Sequence, residues 1–222
     1  VSLKPSAGQP LRVPESFLTV AERAEASFEV NGSEFIGYVA PVGTVAAAEA
    51  VIEEVEADHP EATHVVPAYR VPAGTASAGQ PGSVMLREWA SDDGEPSGSA
   101  GDPALNVLVQ QEIRNVVAAV VRYYGGTNLG VGGLVRAYSR GVKQAVAAAG
   151  IVEAVPHERF EATVAYDDSG TVRGILESES VEFDASYEAA VEFVVRVPVA
   201  EAGDLRERLR NATSGRVEIE ER

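Results

Sequence analysis

The chain has 222 residues, of which 45% are apolar, enough for one large domain or two small ones, and its lack of cysteine excludes disulfides and thiolate chemistry. Its 34 acids, 26 of them Glu, outweigh 16 Arg and 2 Lys for a formal net charge of −16, the balance expected of a protein kept soluble in concentrated salt and thus of a halophilic source. No apolar run reaches the roughly 18 residues that a membrane helix needs, and no charged-then-apolar leader is read, so a soluble cytoplasmic protein is expected.

Residues 1–20 read as a loose arm, rich in Pro, Gly and Ser up to Glu15. Ala26 to Val30 and Glu34 to Ala40 flank Asn31-Gly32, a two-residue hairpin signal. Thr44 can cap a helix from Val45 to Asp58, with Val45, Ala48, Val51, Ile52 and Val55 inward and Glu49, Glu53, Glu54 and Glu56 outward. Thr63 to Val71 is a predicted strand, Pro72 to Ser83 a flexible connection, and Val84 to Ala90 a second strand paired with the first.

SDDGEPSGSAGDPALNVL follows. Asp92, Asp93 and Glu95 gather with Ser97 and Ser99 on a loop of glycine and Pro96. Three carboxylates can hold Mg²⁺ or move protons, which suits a metal-dependent hydrolase or phosphotransferase. The same residues are also ordinary turn chemistry, with Asp102 as N-cap and Pro103 opening a helix from Ala104 to Glu112. His64 joins this polar set as an alternative site member; His59 and His157 have no metal-ligand spacing, and neither a metal nor a cofactor is assigned.

The stretch 113–150 differs from everything around it. Arg114, Arg122, Arg136, Arg140 and Lys143 occur there with no Asp or Glu. Val116 to Tyr124, apolar apart from Arg122 and the tyrosines, fits a strand buried on both faces. A turn holding Gly125, Gly126, Gly130, Gly132 and Gly133 leads to a helix from Leu134, with Val135, Tyr138, Val142, Ala145, Val146 and Ala149 on one face. Arg136, Arg140 and Lys143 fall on the opposite face, and Gly150 ends the helix. A strand, a glycine turn and a helix can present backbone N–H groups to an anion. The alternative is a solvated cationic face neutralised by carboxylates elsewhere. Neither the P-loop nor the dinucleotide glycine pattern is present.

ATHVVPAYR, SDDGEPSGSAG and VVRYYGGTNLGVGGLVRAYS, in this order and spacing, resemble the IMPACT family of Impact N-terminal-like proteins, the bacterial YigZ type, over roughly Ala26 to Gly150. The resemblance implies an α+β chain: a first domain folded like the second domain of ribosomal protein S-five, over 21–152, then a ferredoxin-like domain resembling one of elongation factor G, over 153–222. Strands at Glu161–Tyr166, Val181–Ala185, Val191–Val197 and Arg216–Glu220 with helices at Asp168–Ser178, capped by Asp168 or Ser169, and Pro198–Asn211 agree with that split βαβ order. Eukaryotic relatives resemble translational regulators that bind a kinase activator through an additional RWD domain, an interaction not expected here. EVNGSEFIGY departs from the family, with Glu29, Asn31 and Glu34 where relatives tend to carry Lys or Arg.

The functional expectation is a non-catalytic, translation-linked protein that binds RNA or the ribosome through its first domain. Arg122, Arg136, Arg140 and Lys143 are expected on phosphates, Gly130, Gly132 and Gly133 at a close approach, and Tyr123 or Tyr124 stacked on bases. A protein-interaction module is the third reading. Residues 151–222 hold 8 Arg against 17 acids, so RNA contact is expected on the first domain.

Overall fold

The computed structural model describes residues 16–73 and 85–221; the expected arm over 1–15 and most of the expected connection, 74–83, lie outside the described residues. The described chain forms two compact units, 16–154 and 155–221, of mixed α+β composition.

In the first unit the strands are Phe17–Val20 (β1), Ala24–Val30 (β2), Ser33–Pro41 (β3), His64–Pro72 (β4), Leu86–Ala90 (β5), Val116–Tyr123 (β6) and Ile151–Ala154 (β7). Val45–Asp58 (α1), Gly101–Gln110 (α2) and Gly130–Ala149 (α3) are its helices. Asn31 and Gly32, at φ 49° and 81°, make the tight turn that joins β2 to β3. Five strands form one antiparallel sheet in the order β2-β3-β6-β4-β5.

Side chains alternate across this sheet. Phe35, Val39, Val66, Ala68, Val116, Ala118 and Val120 pack beneath α2 and α3 in the larger core, whereas Ala40, Tyr69, Val71, Val117, Ala119 and Val121 meet the α1 side. Both faces of β6 are therefore covered, as its apolar run predicts. Thr44 caps α1 through its hydroxyl, which accepts from Ala47 N–H at 3.1 Å. On the other face, α3 lies so close that a Cβ on Gly37 would stand 2.2 Å from the Gly141 carbonyl oxygen.

Three expectations for the first unit are corrected. Residues 17–20, read as part of the arm, are a strand that pairs with β7, from Phe17↔Ala154 to Val20↔Ile151, because Val20 is buried in the core. The helix read from Ala104 begins at Gly101, and the one read from Leu134 begins at Gly130, so Gly130, Gly132 and Gly133 belong to a first helical turn.

The second unit holds His157–Val164 (β8), Tyr166–Ser178 (α4), Glu182–Tyr187 (β9), Val191–Pro198 (β10), Val199–Ala212 (α5) and Glu218–Glu221 (β11). Its antiparallel sheet has the order β11-β8-β10-β9, the ferredoxin-like arrangement. Phe160, Phe193, Val195, Leu176, Leu205 and Leu209 fill its core. Asp168 does not cap α4 as expected; Ala165 is the N-cap, and the Asp168 carboxylate accepts from Arg216 Nε at 2.9 Å and Nη2 at 2.7 Å. That guanidinium holds the Asp168 carboxyl below its usual range.

Candidate anion and nucleic-acid interface

Arg122 interrupts the apolar run of β6, on the side of the sheet that faces α3. A cation there must be neutralised or shift its proton equilibrium. Glu95 provides the partner: its Oε1 accepts from Arg122 Nη1 at 2.5 Å and from the Tyr138 hydroxyl at 2.7 Å. Arg122 is 5% exposed, Glu95 8% and Tyr138 0%. Burial pushes the Tyr138 phenol far up, and its bond to Glu95 adds to this, so it remains a donor. His64 Nε2 lies 3.9 Å from the same carboxylate oxygen, and its Nδ1 is 2.6 Å from the Asp93 carbonyl oxygen. Phe35 and Tyr124 cover the Arg122 guanidinium, with ring centroids 5.5 and 5.3 Å away.

The loop carboxylates are committed elsewhere. Asp92 accepts from the N–H groups of Gly98 at 2.7 Å, Ala100 at 3.0 Å and Gly101 at 2.8 Å. It therefore satisfies the start of α2, the task that sequence assigned to Asp102, which instead stands exposed in the first turn. Asp93 accepts from Val65 N–H at 2.7 Å and has φ 44°. Ser97 is exposed on the same loop. Asp92, Asp93 and Glu95 thus do not converge on a metal-sized space, and among the described residues no group of three or more His, Cys, Asp or Glu side chains does. The metal-dependent alternative loses its proposed ligands to backbone N–H groups and to Arg122.

Burial raises the Asp92 carboxyl, but the three N–H bonds together outweigh it and leave the pKa below the ordinary value. A depressed folded pKa contributes stability above the unfolded pKa, and that contribution disappears as pH falls through the folded value. Asp92→Ala is therefore expected to cost about 2 kcal/mol at neutral pH, the upper end for loss of a helix cap. The cost should shrink in acid, as read by urea unfolding across a pH series.

Three cations of the 113–150 island remain available. Arg136, Arg140 and Lys143 are exposed on α3, and among the described residues none forms an ion pair. The Arg140 guanidinium rests 4.1 Å above the Phe28 ring, a stack that uses the face of the guanidinium and not its N–H edges. The acidic helix α1 does not neutralise them, because it packs on the other face of the sheet, where Glu54 pairs with Arg23 at 2.6 Å. The start of α3 has no side-chain cap and no acid in its first turn. A Cβ on Gly130 would meet nothing within 4 Å, and on Gly132 only the Arg136 Nη1, at 3.5 Å, so the approach to the first turn is open.

Other members of the expected set are placed differently. Arg122 is a correction: it is a buried ion-pair partner, not a phosphate contact. Arg114 stacks 4.3 Å from the Phe17 ring, and burial together with neighbouring Arg70 lowers its pKa. Tyr123 faces α1, with its hydroxyl 2.7 Å from His59 Nδ1, while Tyr38 binds the other ring nitrogen at 2.7 Å. Tyr124 is 45% exposed, with one ring face toward the Arg122 guanidinium and its hydroxyl donating to Asn128 Oδ1 at 3.1 Å. Sequence reasoning missed Tyr138, seen only as a core residue, and the exposed amides Asn106 and Gln110 of α2 beside the basic ridge.

Among the described residues no helix is long and apolar enough to cross a membrane. The Impact N-terminal domain family matches residues 31–146, and a domain of unknown function, DUF1949, matches 163–216. The chain is 32% identical over 207 residues to "IMPACT family member YvyE" of Bacillus subtilis, covering 93% of this chain and 91% of that protein. It is 32% identical over 206 residues to "IMPACT family member YigZ" of Escherichia coli, covering 92% and 97%. A crystal structure described as that of a hypothetical protein superposes with a TM-score of 0.67 at 33% identity, over 93% of this chain and 97% of the other. With both matched segments present in order, and relatives of this identity aligned over nearly their whole length, the chain belongs to the IMPACT family.

Proposed function

We propose that this protein is a translation-linked regulator that binds RNA or the ribosome through the exposed face of α3. The observation that supports it most is the combination of three cations, Arg136, Arg140 and Lys143, that form no ion pair among the described residues, with a helix start that has no side-chain cap, in a chain of net charge −16. Backbone N–H groups and guanidinium donors together suit phosphate oxygens. Tyr124 adds an aromatic face on which a base can stack. The translational setting follows from the family resemblance, whose eukaryotic members resemble translational regulators.

The second unit works against nucleic acid, since residues 155–222 carry 8 Arg against 16 acids. Its role in this reading is to restrict where RNA can lie.

Fluorescence anisotropy with a labelled RNA oligonucleotide over a salt series tests the proposal. Arg136→Ala and Lys143→Ala are each expected to weaken binding and to reduce the slope of log K against log salt by about one. Unchanged affinity in both variants would remove α3 as the interface. Partners that persist in a pull-down after nuclease digestion would favour protein recognition instead.

A further inference from the structure

A cavity of about 330 Å³ lies between α2 and α3, lined by residues that include Asp102, Asn106, Gln110, Ser139 and Lys143. A second, of about 320 Å³, is lined by Val135, Arg136, Ser139, Arg140 and Lys143. They share Val135, Ser139 and Lys143, so they form one continuous groove along the flank of α3. Its two ends differ in chemistry. The α3 end is cationic, whereas the α2 end offers two exposed amides and the exposed Asp102 carboxylate.

We infer that this groove is a nucleotide subsite for single-stranded nucleic acid, with the phosphate on Arg136, Arg140 and Lys143 and the base between α2 and α3. The inference rests on the RNA reading above and adds the form and the bases recognised. Each cavity is at the low end of the roughly 300–1,000 Å³ typical of small-molecule sites, which suits one nucleoside unit. A duplex keeps its bases stacked inside and cannot fill such a groove, whereas a single strand can turn a base outward.

Charge fixes the direction in which the nucleotide lies. Asp102 repels phosphate, so the backbone must run on the side of Lys143. Arg136 and Arg140 are separated by about 6 Å along the helix axis, so that successive phosphates of an extended strand can each meet one. At the other end Asn106 and Gln110 both donate and accept, and by themselves tolerate any base. Asp102 only accepts. It therefore favours bases with an exocyclic amino group, adenine, cytosine and guanine, over uracil, whose one base donor is its imino N3–H. The Val135 side chain and the Pro103 ring, both lining the groove, provide apolar surface for the base plane. Ser139 ties the two helices at this point, its hydroxyl donating to the Pro103 carbonyl oxygen at 3.4 Å.

Anisotropy titrations of the full chain with fluorescein-labelled twelve-nucleotide A, C and U homopolymers and with a duplex RNA of equal length test this. The expected result is that the A and C strands bind about tenfold more tightly than U, with the duplex weaker than U, a ratio typical of one specific base contact. Asp102→Ala should reduce the preference to less than about twofold while the salt slope stays as in the parent chain, since no phosphate contact is lost. Asp102 is exposed, so the variant retains its core. Equal binding of A, C and U, a duplex that competes equally, or a preference that survives Asp102→Ala would each overturn the subsite while leaving RNA binding in place. Failure of every oligonucleotide to bind would overturn the RNA reading itself, and the subsite with it.

Discussion

Glu95→Ala is expected to destabilise the first unit by about 3–5 kcal/mol, the cost of leaving one member of a buried ion pair without its partner. Glu95 neutralises Arg122 in a place where the guanidinium is 5% exposed, and it also receives the Tyr138 hydroxyl at 2.7 Å. Removing the carboxylate leaves a cation between two rings and a phenol with no acceptor. For a unit of this size the melting temperature should fall by roughly 10–15 °C. Tyr138→Phe removes one hydrogen bond and should cost only about 1–1.5 kcal/mol. The comparison that decides the mechanism is a double variant, Glu95→Leu with Arg122→Met, which removes both charges. It should regain most of the loss, because apolar replacements of a buried pair are often neutral or stabilising. If the double variant is as unstable as Glu95→Ala, the network acts through shape and not through charge.

Gly37→Ala is the second large effect, expected at about 3 kcal/mol, the upper end for overpacking. The added Cβ would stand 2.2 Å from the Gly141 carbonyl oxygen and 2.6 Å from its carbon. Those atoms belong to the backbone of α3 and cannot rotate away, so the whole helix must lift from the sheet. Lifting it disturbs Tyr138, Val142 and Ala145, all at most 0% exposed in the larger core. Denaturant unfolding measures the effect. Ala substitution at Gly170, where a Cβ would meet nothing within 4 Å, is the matched control and should cost far less.

Local patterns in the sequence were enough for much of this architecture. Asn31-Gly32 needs no distant partner to form its turn, and Thr44 caps α1 from three residues away. Alternation and helical periodicity likewise gave the strand and helix order of the second unit, whose sheet then follows the ferredoxin-like arrangement. What failed was long-range choice. Asp102-Pro103 satisfied the local rule for a helix start, and nothing nearby indicated that Asp92 would reach the N–H groups of Ala100 and Gly101 instead. Phe17–Val20 looked like arm because its partner is Ile151–Ala154, at the far end of the unit.

Arg122 had a readable signal. A strand expected to be buried on both faces and a cation expected to meet phosphate cannot both describe β6. The burial was correct, so a hidden carboxylate had to exist, although only the fold could select Glu95, 27 positions away. Arg136, Arg140 and Lys143 carried no such conflict, since helical spacing alone placed them outward.

The pairing of β1 with β7 has a further consequence for how this unit can be made and rearranged. Phe17 opposes Ala154, so the points where the chain enters and leaves the unit are neighbours. During synthesis the first strand must wait for the last one, and the ring-shaped path cannot close until that late segment has emerged from the ribosome. Once closed, it could be cut at a surface turn and rejoined at Phe17 and Ala154 by a short tether, giving a circular permutant of unchanged topology.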